Sequence, residues 1–184
     1  MTFRGFIAVE IPRCSALDAL AAELRIASPT LKVVTTDQLH LTVKFLGDTE
    51  EGLVAEIVAG LRKATADVRP FEIHVRRTGA FPSLLRLNVI WVGVDGAEPI
   101  AKIAERLEGS LEPLGFRRER RPWKAHVTLA RVKGHRDLDP VRKVLESHAM
   151  DSFAVAKVDA VHLKKSVLTP QGARYTIVDT VRLS

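Results

Sequence analysis

The sequence predicts an α+β protein of two lobes, each a small antiparallel sheet with helices outside, and a cleft between them. Two observations predict it. A strand pattern that opens His-x-Thr occurs twice, as His40-Leu41-Thr42-Val43 and as His126-Val127-Thr128-Leu129, 86 residues apart in a chain of 184. Around each copy the same order of elements recurs: helix, histidine strand, helix, strand, strand. The expectation is one domain over residues 1–184 built from two pseudo-repeats, each carrying one H-x-T-x motif, with the histidine strands lining the cleft. A chain of this length buries a core of its own.

Each element has a local reason. Phe3 to Ile11 (FRGFIAVEI) reads as a strand closed by Pro12. Leu17, Leu20 and Leu24 give residues 14–26 a helical stripe. A loop through Ser28-Pro29-Thr30 leads to the first histidine strand, His40 to Leu46, which Gly47-Asp48 is expected to end. Asp48 and Glu51 have capping-box spacing, ahead of a helix with Leu53, Ile57 and Leu61 inward. Phe71, Ile73 and Val75 alternate with Glu72, His74 and Arg76, so residues 71–80 form a half-exposed strand, and Leu87 to Val94 a more buried one. The order then returns. Pro99 opens a helix with Ile100, Ile103, Leu107 and Leu111 inward, ending near Gly115. A basic loop, Arg117-Arg118-Glu119-Arg120-Arg121, leads into the second histidine strand, His126 to Val132. Asp139 as N-cap with Pro140 at the first helical position starts a helix through Val141 and Leu145. Two closing strands, about 153–168 and 173–183, are joined around Pro170-Gln171-Gly172.

Composition narrows the classes. The chain is 46% hydrophobic and 27% charged, as ordinary globular proteins are. No apolar run approaches the roughly 18 residues of a membrane span, and the opening residues lack the apolar stretch of a secretory signal. Cys14 is the only cysteine, which excludes an internal disulfide and fits a reducing, cytoplasmic setting. A formal net charge of +6 suits a polyanionic partner such as RNA. A monomer is expected, with no membrane association.

The chemistry rests on the repeated motif. Strand side chains alternate, so His40 and Thr42 share one face while Leu41, Val43 and Phe45 take the other. His126 and Thr128 likewise lie opposite Val127 and Leu129. A lone strand histidine is ordinarily a surface or satisfied core residue; a matched pair at one place in a repeat is not explained that way. Histidine titrates near neutrality. Two of them, flanking a phosphodiester, divide the proton transfers: one takes a proton from the attacking water and the other gives one to the leaving oxygen. The threonine hydroxyls supply donors for the non-bridging oxygens. Lys44 shares the face of His40 under strict alternation, and Arg131 is turned away from His126 unless the strand bends. Phe6, Trp91, Trp123 and Tyr175 are aromatic candidates for stacking on a base, with core packing the simpler role. His74, His135 and His148 look idle, and His162 lies within reach of the cleft.

His40-Leu41-Thr42-Val43-Lys44-Phe45-Leu46-Gly47 and His126-Val127-Thr128-Leu129-Ala130-Arg131 resemble the twin signatures of the 2H phosphoesterase superfamily. Arg4-Gly5-Phe6-Ile7-Ala8-Val9 and Ser166-Val167-Leu168 with Gly172 and Tyr175 are similar to its RNA 2′,3′-cyclic phosphodiesterase (2′-5′ RNA ligase-like) branch. The resemblance implies a bilobal, pseudo-symmetric fold. It implies metal-free, cofactor-free hydrolysis of a 2′,3′-cyclic phosphate at an RNA end, tRNA fragments among them, to a 2′-phosphomonoester. Reversible 2′-5′ ligation is implied for some members. It makes His40 the proton donor and His126 the proton acceptor, with Thr42, Thr128 and Arg131 on the phosphate. The rivals are a phosphodiesterase for a small cyclic phosphate and a non-catalytic basic RNA-binding protein. The sequence has no H-E-x-x-H, paired cysteines or glycine-rich phosphate loop to support metal or nucleotide-fold chemistry.

Overall fold

The fold is built on helices and strands, several of them set by the stripes just described. In this computed structural model, which describes residues 1–169 and 172–184, they run in chain order as β1 (Thr2–Glu10), α1 (Ser15–Ala27), β2 (Leu31–Val33), β3 (His40–Glu50), α2 (Val54–Thr65), β4 (Phe71–Ser83), β5 (Arg86–Asp95), α3 (Glu98–Leu111), β6 (His126–Val132), α4 (Asp139–Ser147), β7 (Ser152–Val158), β8 (Ala160–Thr169) and β9 (Gly172–Arg182). The helices bury Leu17, Leu20 and Leu24 on α1, Ile57 and Leu61 on α2, Ile100, Ile103, Leu107 and Leu111 on α3, and Val141 and Leu145 on α4, while Leu53, expected inward with Ile57 and Leu61, lies half-buried in the turn before α2. Among the described residues no helix is long and apolar enough to cross a membrane.

The strands are ordered β7-β4-β5-β6-β3-β1-β8-β9, with β2 pairing on β6, and all the paired strands are antiparallel. One half, β7-β4-β5-β6 with β2, carries α1 and α4; the other, β3-β1-β8-β9, carries α2 and α3. The halves meet where the two histidine strands touch, through a single bridge between Leu41 and Val127. Both residues are fully buried. Helix α1, between β1 and β3, covers the opposite half, and α3, between β5 and β6, does the same in reverse. The chain therefore laces the halves together.

Several expectations are corrected. Gly47 does not end the first histidine strand. Its φ of +73°, a conformation glycine takes at no steric cost, bends β3 so that pairing with β1 continues to Thr2 opposite Glu50. Asp48 is then a ladder residue opposite Arg4, and the capping box does not form; a short 3-10 turn, Glu51–Leu53, precedes α2. The strand expected at 153–168 is two strands. It breaks at exposed Asp159, whose carbonyl accepts the Leu183 N–H, because β7 pairs with β4 and β8 with β1 in the other half. Leu138, buried, takes the N-cap place of α4, so Asp139 stands one residue inside the helix and pairs with Arg142. Pro140 falls in its first turn. Of the expected turn around Pro170-Gln171-Gly172, Pro170 and Gln171 lie outside the described residues, and Gly172 opens β9.

Lys44 is the largest correction. It lies under α3, 3% exposed at its side chain, with its ammonium donating to Glu108 Oε1 (2.7 Å) and to the Arg117 carbonyl (3.1 Å). Removing Glu108 strands a buried cation. Glu108→Ala is expected to cost about 2 kcal/mol in urea denaturation, less than the roughly 3–5 kcal/mol of a fully buried pair because Glu108 keeps contact with water. Lys44→Met should cost much less, and equal losses would show that desolvation of Lys44 is not the dominant factor.

Candidate active site

The bridge sets the register of the site. Strands β3 and β6 run antiparallel through Leu41 and Val127, so His40 falls opposite Thr128, and Thr42 opposite His126. Leu41 and Val127 point into the core, and the four polar side chains take the other face, each half-buried. The two motifs thus meet about a local two-fold axis through the bridge, with a histidine and a threonine from each strand on the cleft side.

Both histidines are held in the same way. His40 Nδ1 lies 3.0 Å from the Gln38 carbonyl and His126 Nδ1 lies 2.8 Å from the Lys124 carbonyl, in each case the residue two positions back. A carbonyl only accepts, so Nδ1 carries the hydrogen and Nε2 is the nitrogen free for chemistry. An aromatic ring backs each imidazole: Phe6 of β1 at 4.9 Å from His40, and Phe81 of β4 at 4.9 Å, edge-on, from His126. Tyr175 of β9 adds an edge contact to His40 at 4.8 Å.

Directly after each motif threonine the strand carries one unpaired residue. Opposite β1 the register skips Val43, and opposite β5 it skips Leu129. These bulges reverse the alternation that follows. Val43 and Lys44 both point inward, and so do Leu129 and Ala130. Phe45 and Arg131 then come to the cleft side. Phe45, expected in the core, is 65% exposed, with its ring 6.5 Å from that of Phe6. Arg131, expected to face away, stands close enough to both imidazoles to disfavour their charged forms. Lys44, expected in the cleft, is instead buried beneath α3.

Electrostatics set the resting state. Burial pushes His40 below its ordinary pKa; its carbonyl partner and Glu10 oppose this, while Lys164 and Arg131 reinforce it. Burial lowers His126 as well, again opposed by the carbonyl and reinforced by Arg131. Lys164, buried on the cleft-facing row of β8, donates to Glu10 Oε1 (2.7 Å) and holds that carboxyl below its usual range. No cluster of three or more His, Cys, Asp or Glu side chains suited to a metal forms among the described residues.

The remaining expected residues sort by position. Trp123 donates its indole N–H to the Thr42 carbonyl (3.0 Å). Trp91 packs over Gly79, where a Cβ would meet the ring at 2.3 Å, and 5.3 Å from Phe81. His162 shares the row of Lys164, with Nδ1 3.0 Å from Thr180 Oγ1, in a groove beside Glu10 rather than between the motifs. His74 and His135 are exposed, and His148 pairs with Glu23 and Asp151. Phe81 and the Glu10–Lys164 pair were not expected. Phe81 was missed because Arg77, at φ +61°, is an extra residue in β4 that interrupts the alternation.

The chain is similar to known proteins over most of its length. The model of the 2′-5′ RNA ligase superfamily matches residues 12–167. The chain is 32% identical over 185 residues to the RNA 2′,3′-cyclic phosphodiesterase of Methanothermobacter thermautotrophicus, covering 100% of both chains. It is 37% identical over 153 residues to that of Aeropyrum pernix, covering 83% of this chain and 86% of the relative. Among solved structures, a protein of Thermus thermophilus superposes with a TM-score of 0.77 at 27% identity, over 98% of this chain and 97% of the other. With the whole chain matched and the paired H-x-T strands facing one cleft, this protein belongs to the 2′-5′ RNA ligase superfamily of 2H phosphoesterases.

Proposed function

We propose that this protein hydrolyses a 2′,3′-cyclic phosphate at an RNA end to a 2′-phosphomonoester, without a metal, by paired histidine catalysis. The observation that carries the reading is the convergence of two Nδ1-anchored histidines and two threonines on one face about the Leu41–Val127 bridge. The similarity over the full length to relatives named RNA 2′,3′-cyclic phosphodiesterase supplies the substrate.

The step balances within these residues. Water attacks phosphorus as His126 Nε2 takes its proton. The bond from phosphorus to the 3′-oxygen breaks, and His40 Nε2–H gives that oxygen a proton. Thr42 and Thr128 donate to the non-bridging oxygens, whose charge rises in the transition state, and the Arg131 guanidinium offsets it. Exchange with solvent returns both imidazoles to their starting forms. Donor and acceptor are assigned by the family pattern. A 5′-hydroxyl in place of water gives a 2′-5′ linkage by the same transfers. The site is assembled within one chain, which supports a monomer, and the lone thiol of Cys14 suits the cytoplasm, where tRNA fragments with such ends are eligible substrates.

Purified protein incubated with an RNA ending in a 2′,3′-cyclic phosphate, in excess EDTA, should yield a 2′-phosphate end. His40→Ala and His126→Ala should each slow this at least about 10²-fold with circular dichroism unchanged. Thr42→Ala and Thr128→Ala should lose less. Two folded, fully active histidine variants would sink the mechanism.

The pH profile follows from the lowered histidine pKa values. In the free enzyme the donor must be protonated, so kcat/KM falls as pH rises through its pKa. The acceptor must be neutral, so kcat/KM falls as pH drops through the other. Both lie below 6.5, so the optimum of kcat/KM lies below pH 6.5. Arg131→Met removes a cation that lowers both, and the optimum should move upward. An optimum that stays in place would separate Arg131 from the histidines.

A further inference from the structure

We propose that the loop over residues 117–125 is a ridge that binds the RNA backbone adjoining the terminal nucleotide. The choice of RNA as ligand rests on the phosphodiesterase reading above; the ridge itself rests on three separate observations.

The first is where the loop is tied. Strand β3 has β1 along one edge, while its other edge meets β6 only at Leu41. Beyond that bridge the loop is tied to β3 by side-chain hydrogen bonds. Its start is held by Lys44, which donates to the Arg117 carbonyl, and its end by Trp123, which donates to the Thr42 carbonyl. Between them the Glu119 N–H donates to Glu108 Oε2 at 3.0 Å, the same carboxylate that receives Lys44. The loop is therefore anchored to the strand that carries His40 and Thr42, and it leads directly into His126.

The second is charge. Arg117, Arg118, Arg120, Arg121 and Lys124 are exposed on the loop against one acid, Glu119. Arg118 pairs with Glu112 at 2.9 Å. Among the described residues Arg117, Arg120 and Arg121 have no acidic partner within ion-pair distance. Guanidinium groups bind phosphate oxygens in a fixed fork, and an excess of them beside a phosphate site suits a chain of phosphates rather than a single one.

The third is the buried Lys44. Taking an ammonium out of water is costly. A loop that merely links α3 to β6 has no need of a buried cation at its start. Holding the loop in one place lowers the ordering cost of binding a long ligand.

The test compares substrates of two lengths. Arg120→Ala/Arg121→Ala is assayed on uridine 2′,3′-cyclic phosphate and on a ten-nucleotide RNA with the same end. For the RNA, KM should rise about tenfold, and the salt dependence of log kcat/KM should become shallower by about 1.4, two contacts at roughly 0.7 each for single strands. For the mononucleotide, kcat/KM should change less than twofold. Equal losses on both substrates, or an unchanged salt slope, would overturn the ridge. Fluorescence anisotropy with the same RNA separates this from the activity. Arginine-dependent binding by a protein that turns over neither substrate would keep the ridge and reject the phosphodiesterase reading. Turnover with arginine-independent RNA binding would do the reverse.

Discussion

The arrangement depends on the antiparallel contact between Leu41 and Val127. It is one bridge, yet it joins the two halves of the sheet and sets the register of both motifs. Burying a leucine and a valine completely is worth roughly 1.5–3 kcal/mol each. That burial also fixes direction. A slip of one residue would turn every side chain of the strand to the opposite face, sending His40 and Thr42 into the core. The polar face is therefore held by the apolar one. The histidines are accurately placed because their neighbours have only one acceptable environment.

Around this contact each half repeats the same devices. A carbonyl two residues back orients each imidazole through Nδ1, a ring 4.9 Å away backs it, and a one-residue bulge follows each threonine. The halves differ in what the bulge delivers: Phe45 in one and Arg131 in the other. The charged residue is thus on one side of the cleft and an exposed ring on the other. Arg131 and the buried Lys164 set the electrostatic character of the site. Burial and Arg131 keep both imidazoles uncharged more readily than in water, and Lys164 adds to this at His40.

The lacing of the chain explains how so small a site is kept rigid. Helices α1 and α3 each leave one half and cover the other, and β7 and β8 divide at Asp159 between the two. Residues of both halves share one hydrophobic core. The loop at 117–125 belongs to the same scheme, since it is tied to β3 and α3 through Lys44, Glu108 and Trp123.

By itself the sequence determined the paired motifs, the inward Leu41 and Val127, the helix stripes and the basic loop. Each follows from a period along one segment, and a period is a local property. The family resemblance was legible for the same reason, since it resides in contiguous residues. Only the tertiary structure decided the fate of Lys44, Phe45 and Arg131. A bulge is a mismatch between two paired strands, so no alternation rule applied to β3 or β6 alone contains it. The break at Asp159 and the approach of Phe81 to His126 likewise depend on which strand pairs with which. The depressed histidine pKa values belong to the same class, because desolvation is set by everything that surrounds a side chain, not by its neighbours in sequence.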